Sequence, residues 1–146
     1  MADETPEFGI GARVLRKEDK RFLDGKGRYV ADITRPGMLE AAIVRSPVAH
    51  ANSLLVKKPI GAEDRVFIAE DLAVSGVKPI HVVSKYPGHR AADYPHLASG
   101  KLRFVGEAVA VCLAETRAQA EDLAAQTSVG FVTLPPVVEM LAAVKK

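Results

Sequence analysis

The sequence predicts a mixed α+β or α/β fold: a single domain holding a mixed sheet and a helix near residues 116–127. Three observations carry this. Ala108–Ala114 is an apolar run of strand length. Thr116 has Gln119 three residues on, the spacing of a capping box, in which the hydroxyl accepts a backbone N–H of the first helical turn while the glutamine reaches back. Val129–Thr133 is a second strand, and Pro135-Pro136 prevents its continuation. Strand, helix and strand with short connections form an α/β unit. If the two strands are parallel, the crossover between them is right-handed.

The remaining elements follow in chain order. Residues 1–10 are expected to be a flexible tail, and residues 11–146 the domain. Leu15, Asp19 and Phe22 recur at helical spacing, and Gly25 falls where a helix end uses a left-handed residue, so a short helix is expected over Arg16–Leu23. Tyr29–Ile33 is a strand candidate by its β-branched and aromatic content. Pro36-Gly37 has the composition of a type II turn, with glycine taking the positive φ. Met38–Arg45 is the next strand, with Leu39, Ala41 and Ile43 on one face; Ser46-Pro47 breaks it and Asn52–Val56 resumes extended. Pro59-Ile-Gly61 ends that run. Arg65–Ala69 is a short strand, and Glu70-Asp71-Leu72 a turn of helix. Residues 75–100 are rich in glycine and proline turn points and are expected to be irregular, with a strand at Ile80–Val83. On the 116–127 helix, Ala120, Leu123, Ala124 and Thr127 share one side, and its two alanines allow close approach to a sheet.

Composition narrows the function classes. A chain of 146 residues suits one domain able to bury roughly 68–70% of its unfolded surface. Hydrophobic residues at 48% and charged ones at 26% are the balance of a soluble globular protein. No apolar run approaches the ~20 residues of a membrane helix, and the acidic start Met-Ala-Asp-Glu-Thr-Pro-Glu does not read as a secretory signal. A cytoplasmic location is the expectation. The single cysteine cannot form an internal disulfide or supply a four-thiolate site. A net charge of +2 is too small to argue for nucleic acid, and none is expected as a partner. The basic stretch over residues 13–28, with a local balance of +4, lacks interleaved aromatics and reads as a solvated or partner-facing surface.

Each chemical motif has a plainer counterpart. Gly9-Ile-Gly11 and Gly25-Lys-Gly27 start like dinucleotide fingerprints, but valines stand at 14 and 30 where the third glycine belongs, so both are turns. His50, His81, His89 and His96 show no metal-ligand spacing and are expected to be hydrogen-bonded or exposed. Cys112 lies in the apolar strand and is expected to be an inert core thiol. Glu107 follows Gly106 at the mouth of that strand and is the sharpest candidate for function. It could stand in a cleft with a shifted pKa, or it could accept neighbouring backbone N–H groups, the more frequent outcome. The residues by themselves assign no catalytic, cofactor-binding or metal position.

A resemblance adds what the residues leave open. Gly11-Ala-Arg-Val-Leu-Arg-Lys-Glu-Asp19, Arg21-Phe-Leu-Asp-Gly-Lys-Gly-Arg-Tyr-Val-Ala-Asp-Ile33, Pro36-Gly-Met-Leu39 and Val44-Arg-Ser-Pro-Val-Ala-His-Ala51 are followed by Ala69-Glu-Asp-Leu72. Arg103-Phe-Val-Gly-Glu-Ala-Val-Ala110, Ala114-Glu-Thr-Arg-Ala-Gln-Ala-Glu-Asp122 and Leu134-Pro-Pro-Val-Val138 complete the series. In this order they resemble the molybdenum hydroxylases, the large subunits of carbon monoxide dehydrogenase, xanthine dehydrogenase and aldehyde oxidase. The detailed pattern is nearer the carbon monoxide and aldehyde type than the animal xanthine enzymes. Thr127-Ser-Val-Gly-Phe131 departs from the family's more acidic, aromatic strand, so that edge is expected to pack differently.

The resemblance implies the family's N-terminal α/β-hammerhead domain, with the later molybdenum-binding domains absent from this chain. It implies an oxidoreductase that hydroxylates an aldehyde, an N-heterocycle or carbon monoxide with oxygen from water. The implied complex carries molybdenum–molybdopterin cytosine dinucleotide, [2Fe–2S] clusters and FAD. Its implied partners are the remaining molybdenum-binding part of the large subunit, an iron–sulfur subunit and an FAD subunit. The family's Gly-Gly-Gly-Phe-Gly motif and late catalytic glutamate do not occur here, so no catalytic, cofactor or metal residue carries over and the chain alone is expected to be inactive. A split subunit, a processed subunit and an excised piece all fit this pattern. The alternative is a free-standing protein-interaction or small-ligand-binding module without catalysis.

Overall fold

The computed structural model describes residues 9, 10, 12, 14–83, 85–89 and 92–144. The expected tail lies outside them save Gly9 and Ile10, as do Gly11 of the first glycine pair and Arg13 of the basic stretch. The chain divides into two compact units, Met1–Pro36 and Gly37–Lys146.

The first unit is organised by a short helix, α1 (Asp19–Leu23). It begins later than the spacing predicts: Glu18 supplies no side-chain cap, and a turn bond from Asp19 N–H to the Arg16 carbonyl (3.2 Å) precedes it. Its end follows expectation. Gly25 has φ +68°, its N–H donates to the Phe22 carbonyl, and Lys26 N–H donates to the Arg21 carbonyl at 2.9 Å. These two bonds are the pair of a Schellman motif. Phe22 stacks on Tyr29 with ring centroids 5.7 Å apart. Gly27 lies against that ring, where a Cβ would fall 2.6 Å from Phe22 Cδ1, so in the second glycine pair Gly25 makes the turn and Gly27 leaves room for the ring.

The strand expected over Tyr29–Ile33 is not formed. Val30–Asp32 is a 3₁₀ turn, because the Asp32 carboxylate accepts Tyr29 N–H (2.9 Å) while Asp32 N–H donates to the Tyr29 carbonyl (3.0 Å). An aspartate that closes such a turn offers the backbone an alternative to a ladder.

The second unit opens at the Pro36-Gly37 turn, where Gly37 takes φ +74°. Its strands are β1 (Glu40–Arg45), β2 (Ala51–Lys57), β3 (Val66–Ile68), β4 (Ile80–His81), β5 (Asp93–Tyr94), β6 (Lys101–Leu102), β7 (Ala108–Ala114) and β8 (Ser128–Thr133). The helices are α2 (Ala69–Val74), α3 (Arg117–Gln126) and α4 (Met140–Val144). Two three-stranded sheets run in the orders β1-β7-β3 and β6-β2-β8, with a small β4-β5 ladder beside them. Every pairing among the described residues is antiparallel, which corrects the mixed sheet. The physical reason is the route of the chain: α3 carries it from β7 in one sheet to β8 in the other, so no parallel crossover pair arises.

The capping box forms as spaced. Thr116 Oγ1 accepts Gln119 N–H and Gln119 Oε1 accepts Thr116 N–H, both at 3.3 Å. Ala120 and Leu123 are buried and Ala124 packs beside them, over Ala42 of β1, Val66 of β3 and Ala110, Cys112 and Ala114 of β7. The expected β1 trio, Leu39, Ala41 and Ile43, does share a face, but an exposed one; Ala42 and Val44 face inward. A second core gathers Ala51, Ala98, Leu102 and Val109, with Leu54, Val129 and Phe131 against it. Strand β2 carries a bulge at Ser53, whose φ is +53°, where its register with β8 shifts. Beyond it, Lys58 Nζ meets Asp71 Oδ2 at 2.7 Å, and the same oxygen accepts Ile68 N–H at the start of α2. The irregular stretch holds its strand only over Ile80–His81, paired with Asp93–Tyr94.

Candidate functional site

The sharpest sequence candidate, Glu107, sits where the chain turns into β7. Gly106 makes the turn with φ +86°, a conformation that a residue with a Cβ adopts at a cost. Gly106 N–H donates to the Ser46 carbonyl and the Glu107 carbonyl accepts Ser46 N–H, both at 2.8 Å. The Arg45 guanidinium donates to the Gly106 carbonyl at 2.8 Å. The turn is thus stitched to the end of β1.

Glu107 itself is buried, and its carboxylate faces back along the chain. Oε2 accepts Arg103 N–H at 2.6 Å and Oε1 accepts the Arg103 guanidinium at 3.0 Å. Of its two readings, the geometry shows the backbone-capping one. A buried carboxylate stands only when its oxygens are paired, and here both are. Arg103 is the partner that sequence reasoning missed, and its only signal was a basic residue four positions before the acid. In front of this clamp lies an open cleft of about 370 Å³, lined by Lys101, Arg103, Phe104, Val105 and the segment Pro136–Val138, with His50 at its side.

The other candidates are kept apart. His50 Nδ1 donates to the Pro135 carbonyl (2.9 Å), His81 Nδ1 meets Asp93 Oδ1 (2.7 Å), and His96 Nε2 donates to the Lys78 carbonyl (3.0 Å). Among the described residues no three His, Cys, Asp or Glu side chains gather where a metal ion could be held. These residues therefore offer no donor set for a metal ion or a cluster. Cys112 is fully buried, and burial pushes its thiol up despite the contact to Thr127. Thr127 Oγ1 donates to the Leu123 carbonyl (2.8 Å), which leaves it to accept from the thiol at 3.7 Å. That is a core cysteine, as its strand context predicts.

Partial burial pushes the Asp71 carboxyl up, but the hydrogen bonds from Lys58 and Ile68 N–H and the Lys58 charge bring it below its ordinary value. No helix among the described residues is long and apolar enough to cross a membrane.

This arrangement, two antiparallel sheets with one capped helix over β1-β7-β3, has counterparts. Residues 24–135 match the family described as aldehyde oxidase and xanthine dehydrogenase, a/b hammerhead domain. The chain belongs to that family, as its α/β-hammerhead domain. It is 36% identical, over 99% of its length, to the carbon monoxide dehydrogenase large chain of Hydrogenophaga pseudoflava, of which it covers 18%. It is 38% identical, over 77% of its length, to the nicotine 6-hydroxylase large subunit of Paenarthrobacter nicotinovorans, covering 14% of it. The crystal structure of quinoline 2-oxidoreductase from Pseudomonas putida 86 superposes with a TM-score of 0.82 at 39% identity, over 90% of this chain and 17% of that one. The chain therefore spans less than a fifth of the length of these relatives.

Proposed function

We propose that this chain serves as the N-terminal hammerhead part of a molybdopterin-dependent oxidoreductase, with a structural and assembly role. The reaction of the whole enzyme would be hydroxylation of an aldehyde, an N-heterocycle or carbon monoxide with oxygen from water. Molybdenum–molybdopterin cytosine dinucleotide would be held by the remaining part of the large subunit, and electrons would leave through [2Fe–2S] and FAD subunits. The observation that carries this reading is the 36% identity to a carbon monoxide dehydrogenase large chain along 99% of this chain. Exposed apolar side chains add support: Val105, Val138 and Leu141 are 63%, 88% and 64% exposed. Val105 and Val138 line one cleft, and exposed apolar surface gathered in this way marks an interaction site.

Coexpressed with its neighbouring subunits, the chain is expected to copurify in a large complex containing molybdenum, iron and flavin. Purified by itself it is expected to bind no molybdenum and to show no dye-linked turnover of aldehydes or purines. Size-exclusion chromatography with metal analysis reads both. Stoichiometric metal with turnover in the isolated chain overturns the assembly role. Elution only as a well-behaved monomer in the presence of those subunits favours a free-standing interaction or ligand-binding module.

A further inference from the structure

We propose that the cleft between the Lys101–Gly106 turn and Pro136–Val138 receives an apolar segment bearing a carboxylate, supplied by the molybdenum-binding remainder of the large subunit. The inference rests on the functional reading above and adds to it the surface and the chemistry of the occupant.

The first argument is preorganisation. The turn is pinned from behind by the Ser46 and Arg45 bonds to Gly106 and by the two Glu107 bonds to Arg103. In front, Phe104 and Val105 remain 43% and 63% exposed, facing Val138 at 88%. A loose turn would collapse to cover such side chains. This one is fixed by bonds on both sides of Glu107 while Phe104 and Val105 stay exposed, apolar surface that a partner can cover. Holding a binding surface in place beforehand lowers the ordering cost of association.

The second argument is charge. Among the described residues no acidic side chain lines the cleft, whereas two permanent cations do, Lys101 and Arg103. Glu107 balances Arg103 from behind. The Lys101 ammonium has no hydrogen-bond or ion-pair partner among the described residues, and it stands beside the apolar floor. His50 spends Nδ1 on the Pro135 carbonyl and leaves Nε2 for a further partner. A segment that covers Phe104 and Val105 and presents a carboxylate to Lys101 satisfies both halves of the cleft. Complementary charge at such a rim sets partner choice and encounter rate.

The test coexpresses the tagged chain with the molybdenum-binding remainder of the large subunit and measures the recovered molar ratio as salt is raised. Val105→Asp and Lys101→Glu are each expected to lower recovery about tenfold or more, the scale of a lost interface anchor. Lys101→Arg is expected to retain recovery, and the wild-type pair to weaken with salt as exposed charges are screened. Ile60→Asp, at an exposed turn outside the cleft, is the control that keeps full recovery. Circular dichroism melting of each variant checks folding; should Val105→Asp unfold, Val105→Thr and Lys101→Glu still decide. Wild-type recovery by both cleft variants overturns the cleft and leaves the functional reading standing. No recovery of the wild-type pair overturns the functional reading, and this inference with it.

Discussion

The two three-stranded sheets of residues 37–146 contain equally short antiparallel strands but bury themselves in different ways. The β1-β7-β3 sheet is covered by α3, and the buried residues there are mostly small: Ala42, Ala110, Cys112, Ala114 and Ala120, with Val66 and Leu123 larger and Val44, Val56 and Ile68 packed at the margin. The β6-β2-β8 sheet gathers a core around Leu102 and Val109, filled out by Leu54, Val129 and Phe131. Close approach of a helix demands alanines; without a helix, longer side chains fill the gap. The first core should therefore resist shrinking and suffer from added volume, and the second the reverse.

Four experiments test that contrast. Leu102→Ala removes the largest fully buried side chain and is expected to cost about 3 kcal/mol by denaturant titration, the usual scale for a cavity that cannot collapse. A loss under ~1 kcal/mol would mean that the second core is loosely packed. Ala120→Leu overfills the space under α3 and is expected to cost about 2 kcal/mol; a neutral result would show that the helix can lift without penalty. Thr116→Ala removes the α3 cap and is expected to cost about 1 kcal/mol, read as a lowered melting midpoint. An unchanged midpoint would mean that close packing, and not the cap, fixes where that helix starts.

The smallest effect concerns the ion pair between Lys58, just past β2 of the second sheet, and Asp71 of α2. The folded Asp71 carboxyl titrates below its ordinary value. Its contribution is therefore present above the unfolded aspartate value of about 3.9 and is lost as pH falls through the lower folded value. Asp71→Asn is expected to flatten the acid limb of a stability–pH curve from about pH 5 downward, with little change in cooperativity. An acid limb identical to wild type would show that the pair contributes nothing.

The first core was largely legible in the sequence because its signals are local. The apolar run of β7, the Thr116–Gln119 box and the Ala120, Leu123, Ala124 and Thr127 face each lie within a few residues, and all three are found in the structure. The second core was not, because Ala98 lies in the irregular 75–100 stretch and is buried only through distant strands. Antiparallel pairing of β7 with both β1 and β3 is likewise a long-range fact that no window of sequence contains. Tyr29–Ile33 misled in the opposite direction: β-forming side chains were overruled by one carboxylate three residues away. For Glu107 both readings were visible, and only the position of the Arg103 backbone decided between them. The family was legible from the order of short motifs, which does not depend on any single contact.

Strand β7 belongs to both cores, since Val109 faces one while Ala110, Cys112 and Ala114 face the other. Its two neighbours, β1 and β3, depend on it for every ladder bond they make. The centre of the fold is therefore a party wall: no motion that frees one side can leave the other intact. Amide hydrogens along Val109–Leu113 should exchange only through the opening of the whole second unit, while those of the β4-β5 ladder exchange by local fraying. A domain wired in this way is expected to offer a protease no stable half-folded form.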